Sequence, residues 1–118
     1  MAANIRRGEI YQVDWNPARG SEQAGQTPAL VIQNDIANSV PGYPVTIVCA
    51  VSSKLKGYPS MVLVAPAEQN GLTVASEINS AQILTIQKDR LIHRLGFLSE
   101  ADMRKVDEKL AYMLSLTR

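Results

Sequence analysis

The sequence predicts a mainly β protein, a small and strongly twisted antiparallel barrel closed at one end by a C-terminal helix. Six or seven short apolar runs follow one another at close spacing, separated by turn-forming residues. After residue 98 the apolar period changes from two to about 3.6, which indicates a helix. The 118 residues contain no internal repeat and no linker, so we expect a single domain over residues 1–118.

The strands are predicted from short apolar or alternating runs bounded by Gly, Pro, Asn or Ser. In chain order they cover residues 9–15, 29–32, 45–52, 60–65, 72–75, 81–86 and 91–95. In the first run, Tyr11, Val13 and Trp15 share one face. The second run is expected to begin after Pro28, because proline can lead a strand but cannot continue in its middle. Residues 35–44 are expected to form a turn-rich connection.

The longest strand candidate, residues 45–52, places Ser52 at its exit, at the edge of the core and near solvent. A basic loop over residues 53–59 follows it. The final helix is expected to begin after Ser99, whose hydroxyl can cap it. Its apolar residues recur at helical spacing and are Met103, Val106, Leu110 and Met113.

Composition excludes several classes of protein. The net charge is +1, from 12 Lys and Arg against 11 Asp and Glu, so any binding of nucleic acid must depend on a local patch. Cys49 is the single cysteine, which excludes an internal disulfide and a cysteine-based zinc site. We find no signal-peptide core and no window of membrane-spanning length, so we expect a cytoplasmic protein that does not contact a membrane.

The usual catalytic constellations are missing from the sequence. One His and one Cys at unrelated positions predict no metal site, and we expect no cofactor. No serine lies in a strand–turn–helix nucleophile elbow, and no phosphate-binding glycine motif occurs. His93 lies in an apolar stretch and is predicted to be a packed histidine with one partner.

Small polar groups collect instead at the ends of the predicted strands. The connection over residues 16–27 is much longer than the roughly two to five residues of an ordinary hairpin loop, and such loops are more often functional. The candidate site residues are Ser21, Glu22, Gln23 and Thr27 in this loop, Ser52 and Gln82 on strands, and Arg19, Lys54 and Lys56 on flanking loops. If these loops share one rim of the barrel, they form a locally positive, hydrogen-bonding surface suited to a phosphodiester backbone. The alternative, an ordinary surface loop with solvated lysines, stays open.

Several segments together resemble the MazF/PemK family of toxin endoribonucleases. They are residues 7–17 (RGEIYQVDWNP), 20–25 (GSEQAG), 31–35 (VIQND, with Pro28 before it) and 56–59 (KGYP). The resemblance implies an SH3-like barrel of the CcdB/PemK/MazF type and a homodimer. It also implies metal-independent cleavage of single-stranded RNA, chiefly mRNA, and inhibition by a MazE-like antitoxin.

The same resemblance implies roles for individual residues. The family acts on the reacting phosphate with an Arg in the first loop and a Thr or Ser at the end of the third strand. Ser52 matches the second position, and Ser21 and Gln82 match polar positions that contact RNA. Where the family has Gly-x-Arg-Pro, this chain has Thr27 at the arginine position. Either Arg19 or a loop lysine compensates, or the enzyme is weak, or the substitution disarms a toxin.

Two other functions compete with RNA cleavage. One is a non-catalytic module of the same fold that binds RNA or an antitoxin without cutting. The other is a gyrase-poisoning toxin resembling CcdB, a family that relies on a C-terminal Trp-Gly-Ile. Because this sequence ends Ser-Leu-Thr-Arg, we do not expect the second.

Overall fold

The computed structural model describes residues 4–16 and 25–116 of the chain. Across these ranges the strands are β1 (Glu9–Asp14), β2 (Gln26–Val31), β3 (Val45–Ser52), β4 (Met61–Val64), β5 (Ser76–Gln87) and β6 (Leu91–Phe97). The helices are α1 (Asp35–Asn38) and α2 (Glu100–Met113), with short 3₁₀ turns at Glu68–Asn70 and Lys88–Arg90. The strands form one antiparallel sheet in the order β4-β5-β3-β2-β1-β6. The predicted mainly β fold with a C-terminal helix is confirmed.

The prediction of separate strands at residues 72–75 and 81–86 is wrong. One strand of 12 residues, β5, takes their place, and residues 72–75 form no strand. The register of β5 against β3 shifts between Cys49 and Val51, so β5 contains a bulge. A bulge bends a strand without ending it. The first half of β5 pairs with both β3 and β4, and the second half pairs with β3 alone.

Pro28 lies inside β2, whereas the sequence placed it before the strand. It pairs with Gln12 of β1. On its other side, β2 pairs with β3 only from Ala29 onward. A proline is tolerated where a strand has a neighbour on one side only, because the missing N–H then leaves no gap in a second ladder.

Apolar side chains cover both faces of the sheet, as alternation along the strands requires. On one face, Ile10, Leu30, Cys49, Val51 and Ile78 pack with Leu98, Val106 and Leu110 from the C-terminal segment. On the other face, Tyr11, Val13, Trp15, Ala29, Val31 and Val48 form a second cluster. Burial raises the pKa of the Cys49 thiol to about 12, so this cysteine is no nucleophile near neutral pH. Neither helix in the described part of the chain has the length and hydrophobicity needed to cross a membrane.

The predicted start of the last helix is confirmed. The Ser99 hydroxyl accepts a hydrogen bond from the backbone N–H of Asp102 at 3.1 Å, and α2 follows directly. This bond satisfies one of the free N–H groups at the helix start. The helix buries Val106 and Leu110 against the sheet.

Gly71 lies where the chain passes close to β6, and a larger residue there is expected to destabilise the fold. Its φ is +71°, and a Cβ atom would collide with the Leu95 carbonyl. We expect Gly71→Ala to lower the free energy of unfolding by roughly 2–3 kcal/mol, from backbone strain plus the steric clash. Urea denaturation measures the loss.

Gly42 is the matched control for this substitution. Its φ is +77°, but a Cβ atom there would meet nothing within 4 Å. We therefore expect Gly42→Ala to cost only about 1 kcal/mol of backbone strain. Equal losses in the two variants would contradict the steric argument.

Tyr11 is buried against a carboxylate. Its hydroxyl donates to Glu9 Oε1 at 3.2 Å, and Arg94 Nε donates to Glu9 Oε2 at 2.6 Å. Burial, followed by the negative charge of Glu9, raises the pKa of Tyr11 from 10.0 to about 12, and the nearby Arg94 partly opposes this. The folded protein therefore holds the phenol proton more tightly than the unfolded chain does.

We expect the protein to lose stability as the pH rises from 10.0 to about 12. The stabilisation from protonated Tyr11 is fully present below the unfolded pKa and disappears as the pH passes the folded pKa. Tyr11→Phe should flatten this part of the curve of unfolding free energy against pH, and Tyr43→Phe, at an exposed tyrosine, should not. Parallel curves for wild type and Tyr11→Phe would contradict the assignment.

Candidate functional site

A cleft of about 580 Å³ lies at one edge of the sheet. Its walls include Gln12 of β1, Thr27 of β2, Ser52 and Lys54 at the end of β3, and residues in the range 71–76. Because β2 and β3 are antiparallel, the start of β2 and the end of β3 lie at the same edge. The fold thus brings Thr27, Ser52 and Lys54 to one place.

Thr27 is half-buried and is already engaged as an acceptor. The indole Nε1–H of Trp15 donates to Thr27 Oγ1 at 2.6 Å. Trp15 is itself 6% exposed, so this bond satisfies a buried donor. The Thr27 hydroxyl keeps its own hydrogen for donation, but it offers neither a positive charge nor a proton acceptor suited to neutral pH.

Ser52 is the last residue of β3 and is half-buried at the cleft. Its Oγ accepts the backbone N–H of Lys54 at 3.1 Å. This bond orients the serine and fixes the turn that leaves the strand. The hydroxyl hydrogen is free to donate to an anionic oxygen in the cleft.

The cleft is locally positive. Lys54 is the one charged residue among the described residues that line it. Lys56 is exposed on the same loop, and its ammonium lies 5.9 Å from the centre of the Tyr58 ring. Its side chain lies outside the cleft wall.

The other predicted site residues are placed differently. Gln82 lies in the bulged part of β5, half-exposed, and does not line this cleft. The predictions for Arg19, Ser21, Glu22 and Gln23 fall in residues 17–24, outside the described residues.

The two ends of the first loop are held together beside Thr27. The backbone N–H of Trp15 donates to the Gly25 carbonyl at 2.9 Å. Arg90 Nη1 donates to the carbonyls of Asp14 and Asn16, at 3.0 and 2.7 Å. The sequence gave no sign of this role for Arg90, because the two segments are distant in the chain. The loop that carries four predicted site residues therefore starts and ends next to the cleft.

The prediction that His93 is packed is wrong. His93 is exposed, as are its neighbours Ile92 and Arg94. β6 is at the edge of the sheet and pairs with β1 alone, so a face of this strand is open to solvent. No group of three or more His, Cys, Asp or Glu residues that could hold a metal ion occurs within residues 4–16 and 25–116.

A second cleft, of about 530 Å³, lies at the opposite end of β3. Arg6, Tyr43 and Lys88 are among its lining residues. The Lys88 ammonium donates to the Asn38 carbonyl at 3.1 Å and lies 5.7 Å from the centre of the Tyr43 ring. None of the predicted site residues lines this cleft.

Sequence comparison identifies the relatives of this chain. Residues 6–114 match a family model described as the PemK-like, MazF-like toxin of type II toxin-antitoxin systems. The chain is 40% identical over 116 residues to endoribonuclease MazF9 of Mycobacterium tuberculosis, covering 95% of this chain and 98% of that protein. It is also 40% identical over 114 residues to endoribonuclease EndoA of Bacillus subtilis, covering 95% and 96%.

Structural comparison gives the same result. A mycobacterial endoribonuclease solved in complex with its cognate antitoxin superimposes with a TM-score of 0.77 at 26% identity, covering 95% of this chain and 96% of that one. MazF of Deinococcus radiodurans superimposes with a TM-score of 0.75 at 27% identity, covering 92% and 94%. The predicted CcdB/PemK/MazF-type architecture is therefore confirmed. The chain belongs to the PemK-like, MazF-like family of type II toxin-antitoxin toxins.

Proposed function

We propose that this chain is a toxin that cleaves single-stranded RNA without a metal ion. The observation that carries the proposal is the meeting of Thr27, Ser52 and Lys54, from separate strands and a loop, at one cleft. Hydroxyl donors beside an ammonium group suit a phosphodiester backbone. The relatives named endoribonucleases, at 40% identity over most of the chain, support the same activity.

The proposed reaction uses the RNA's own nucleophile. The ribose 2′-oxygen attacks the adjacent phosphorus, the bond from phosphorus to the 5′-oxygen breaks, and the 2′-OH proton is transferred in net terms to that leaving oxygen. The products are a 2′,3′-cyclic phosphate and a 5′-OH. The Ser52 hydroxyl donates to a phosphate oxygen, and the Lys54 ammonium stabilises the negative charge that accumulates on the phosphate in the transition state.

We propose further that Thr27 leaves the enzyme weak. A guanidinium supplies a permanent charge and a fork of donors, whereas the Thr27 hydroxyl supplies one neutral donor and accepts from Trp15. Losing one charged donor to the transition state costs roughly a hundred- to a thousandfold in rate. The same observation favours the second candidate function, a module that binds RNA or an antitoxin without cutting.

The proposed partners are RNA, a MazE-like antitoxin and a second copy of the chain, in the cytoplasm where mRNA is found. The mycobacterial relative was solved with its antitoxin, and a MazE–MazF structure from Deinococcus radiodurans also resembles this chain, with a TM-score of 0.76 at 26% identity. Leu63, Tyr112 and Leu114 are exposed apolar residues that a protein partner would cover. A homodimer would set two clefts in one longer groove.

RNA cleavage in EDTA tests this proposal. We would incubate the wild-type chain and Thr27→Arg with a long single-stranded RNA and map the new ends. Cleavage that leaves 5′-OH ends is the expected result. If neither protein cuts while both bind RNA or an antitoxin peptide, the non-catalytic module is correct. Ends carrying a 5′-phosphate would contradict the reaction.

A further inference from the structure

A buried carboxylate behind the cleft has no part in the proposed reaction. Glu77 of β5 lies directly opposite Ser52 in the ladder and is 4% exposed. Its Oε1 accepts the backbone N–H of Lys56 at 2.8 Å, and its Oε2 accepts that of Gly57 at 3.0 Å. Burying a carboxylate is costly unless both oxygens find donors, and these two amides supply them.

The two amides belong to the loop that carries the lysines. Residues 53–59 join β3 to β4, and every one of them is exposed. Apolar burial therefore does not hold the centre of this loop. Near its ends, Ser52 Oγ accepts the Lys54 N–H, and the Met61 N–H donates to the Tyr58 carbonyl at 3.0 Å. Glu77 ties the centre of the loop to the sheet.

We propose that Glu77 is a positioning residue for RNA binding, and this inference rests on the proposed function. By holding the backbone at Lys56 and Gly57, it fixes the ammonium groups of Lys54 and Lys56 beside the Ser52 end of the cleft. A loop ordered before binding spares the RNA complex the entropic cost of ordering it. Glu77 does not act as a proton acceptor, because it does not line the cleft and both of its oxygens are engaged.

Glu77→Gln separates this role from a simple charge effect. Glutamine keeps one acceptor oxygen and turns an NH₂ group toward the second amide, so one of the two bonds is lost. The substitution also removes a negative charge, which by electrostatics alone would strengthen RNA binding. Weaker binding by this variant therefore indicates that the loop has lost its position.

Binding of a 2′-O-methyl RNA oligonucleotide tests the inference, because this probe lacks the attacking hydroxyl and cannot be cleaved. We expect Glu77→Gln to raise the Kd about tenfold, as expected when one or two long side chains must be ordered on binding. Lys54→Ala/Lys56→Ala should also weaken binding, and it should reduce the salt dependence by about 0.7 per lost phosphate contact. In that double variant, adding Glu77→Gln should have no further effect on the Kd. A general loss of stability would instead add to the effect of the lysine changes.

Controls keep the failures apart. Glu108→Gln makes the same charge change at an exposed residue of α2 and should not weaken binding. If Glu77→Gln does not fold by circular dichroism, Glu77→Asp, which keeps the charge but is too short to reach both amides, must raise the Kd in its place. Unchanged or tighter binding by the folded Glu77 variant, with binding lost in the lysine variant, would overturn the role of Glu77 and leave RNA binding intact. A wild-type chain that binds no RNA would overturn the proposed function and this inference together.

Discussion

Replacing Thr27 with arginine is expected to raise the rate of RNA cleavage roughly a hundred- to a thousandfold. The guanidinium would bring a permanent positive charge and paired donors to the phosphate that Ser52 contacts. Both residues line the same cleft, so the new side chain enters the site without rearrangement of the strands. Initial rates in EDTA, on a short RNA with a single cleavage site, measure the gain.

The arginine variant also carries a cost in stability. It removes the acceptor of the Trp15 indole N–H, and an unpaired buried donor costs about 1–3 kcal/mol. Thr27→Val is the matched control, because it removes the same acceptor and adds no charge. It should be less stable than wild type and no more active. An arginine variant that is no faster than wild type would show that residue 27 does not contact the reacting phosphate.

Replacing Ser52 with alanine is expected to lower the cleavage rate about a hundredfold, the effect of removing one donor to the transition state. Because this bond would strengthen as the phosphate gains charge, kcat and kcat/KM should fall by the same factor. The measurement is best made in the Thr27→Arg background, where the activity is expected to be high enough to follow a large loss.

Ser52→Thr is the control for that substitution. It keeps the hydroxyl at the end of β3, so it should keep most of the activity, and it can still accept the Lys54 N–H. An equal loss in the alanine and threonine variants would show that the hydroxyl is not the reason for the effect. Full activity in Ser52→Ala would refute the assignment of Ser52.

The elements with a regular apolar period could be predicted from the sequence. The first strand alternates at Tyr11, Val13 and Trp15, and Ser99 begins a helix with a local cap, so neighbouring residues carry the information. The course of β5 depends instead on distant contacts. The Ser80 hydroxyl donates to the Ser60 carbonyl at 2.6 Å and is fully buried, although in sequence it resembles a break between two strands.

The candidate site divides in the same way. Thr27 and Ser52 could be proposed because they stand at strand ends, and antiparallel pairing brings those ends together. Glu77 could not, because its burial depends on the fold of the loop over residues 53–59. The exposure of His93 follows from the position of β6 at the edge of the sheet, which the residues around it do not encode.

A crystal structure of Thr27→Arg bound to a 2′-O-methyl RNA tests the central claim most directly. The account predicts one backbone phosphate within hydrogen-bonding distance of both Ser52 Oγ and the guanidinium at residue 27, with Lys54 beside it. A phosphate backbone that runs instead through the cleft lined by Arg6 and Lys88, at the other end of β3, would contradict it.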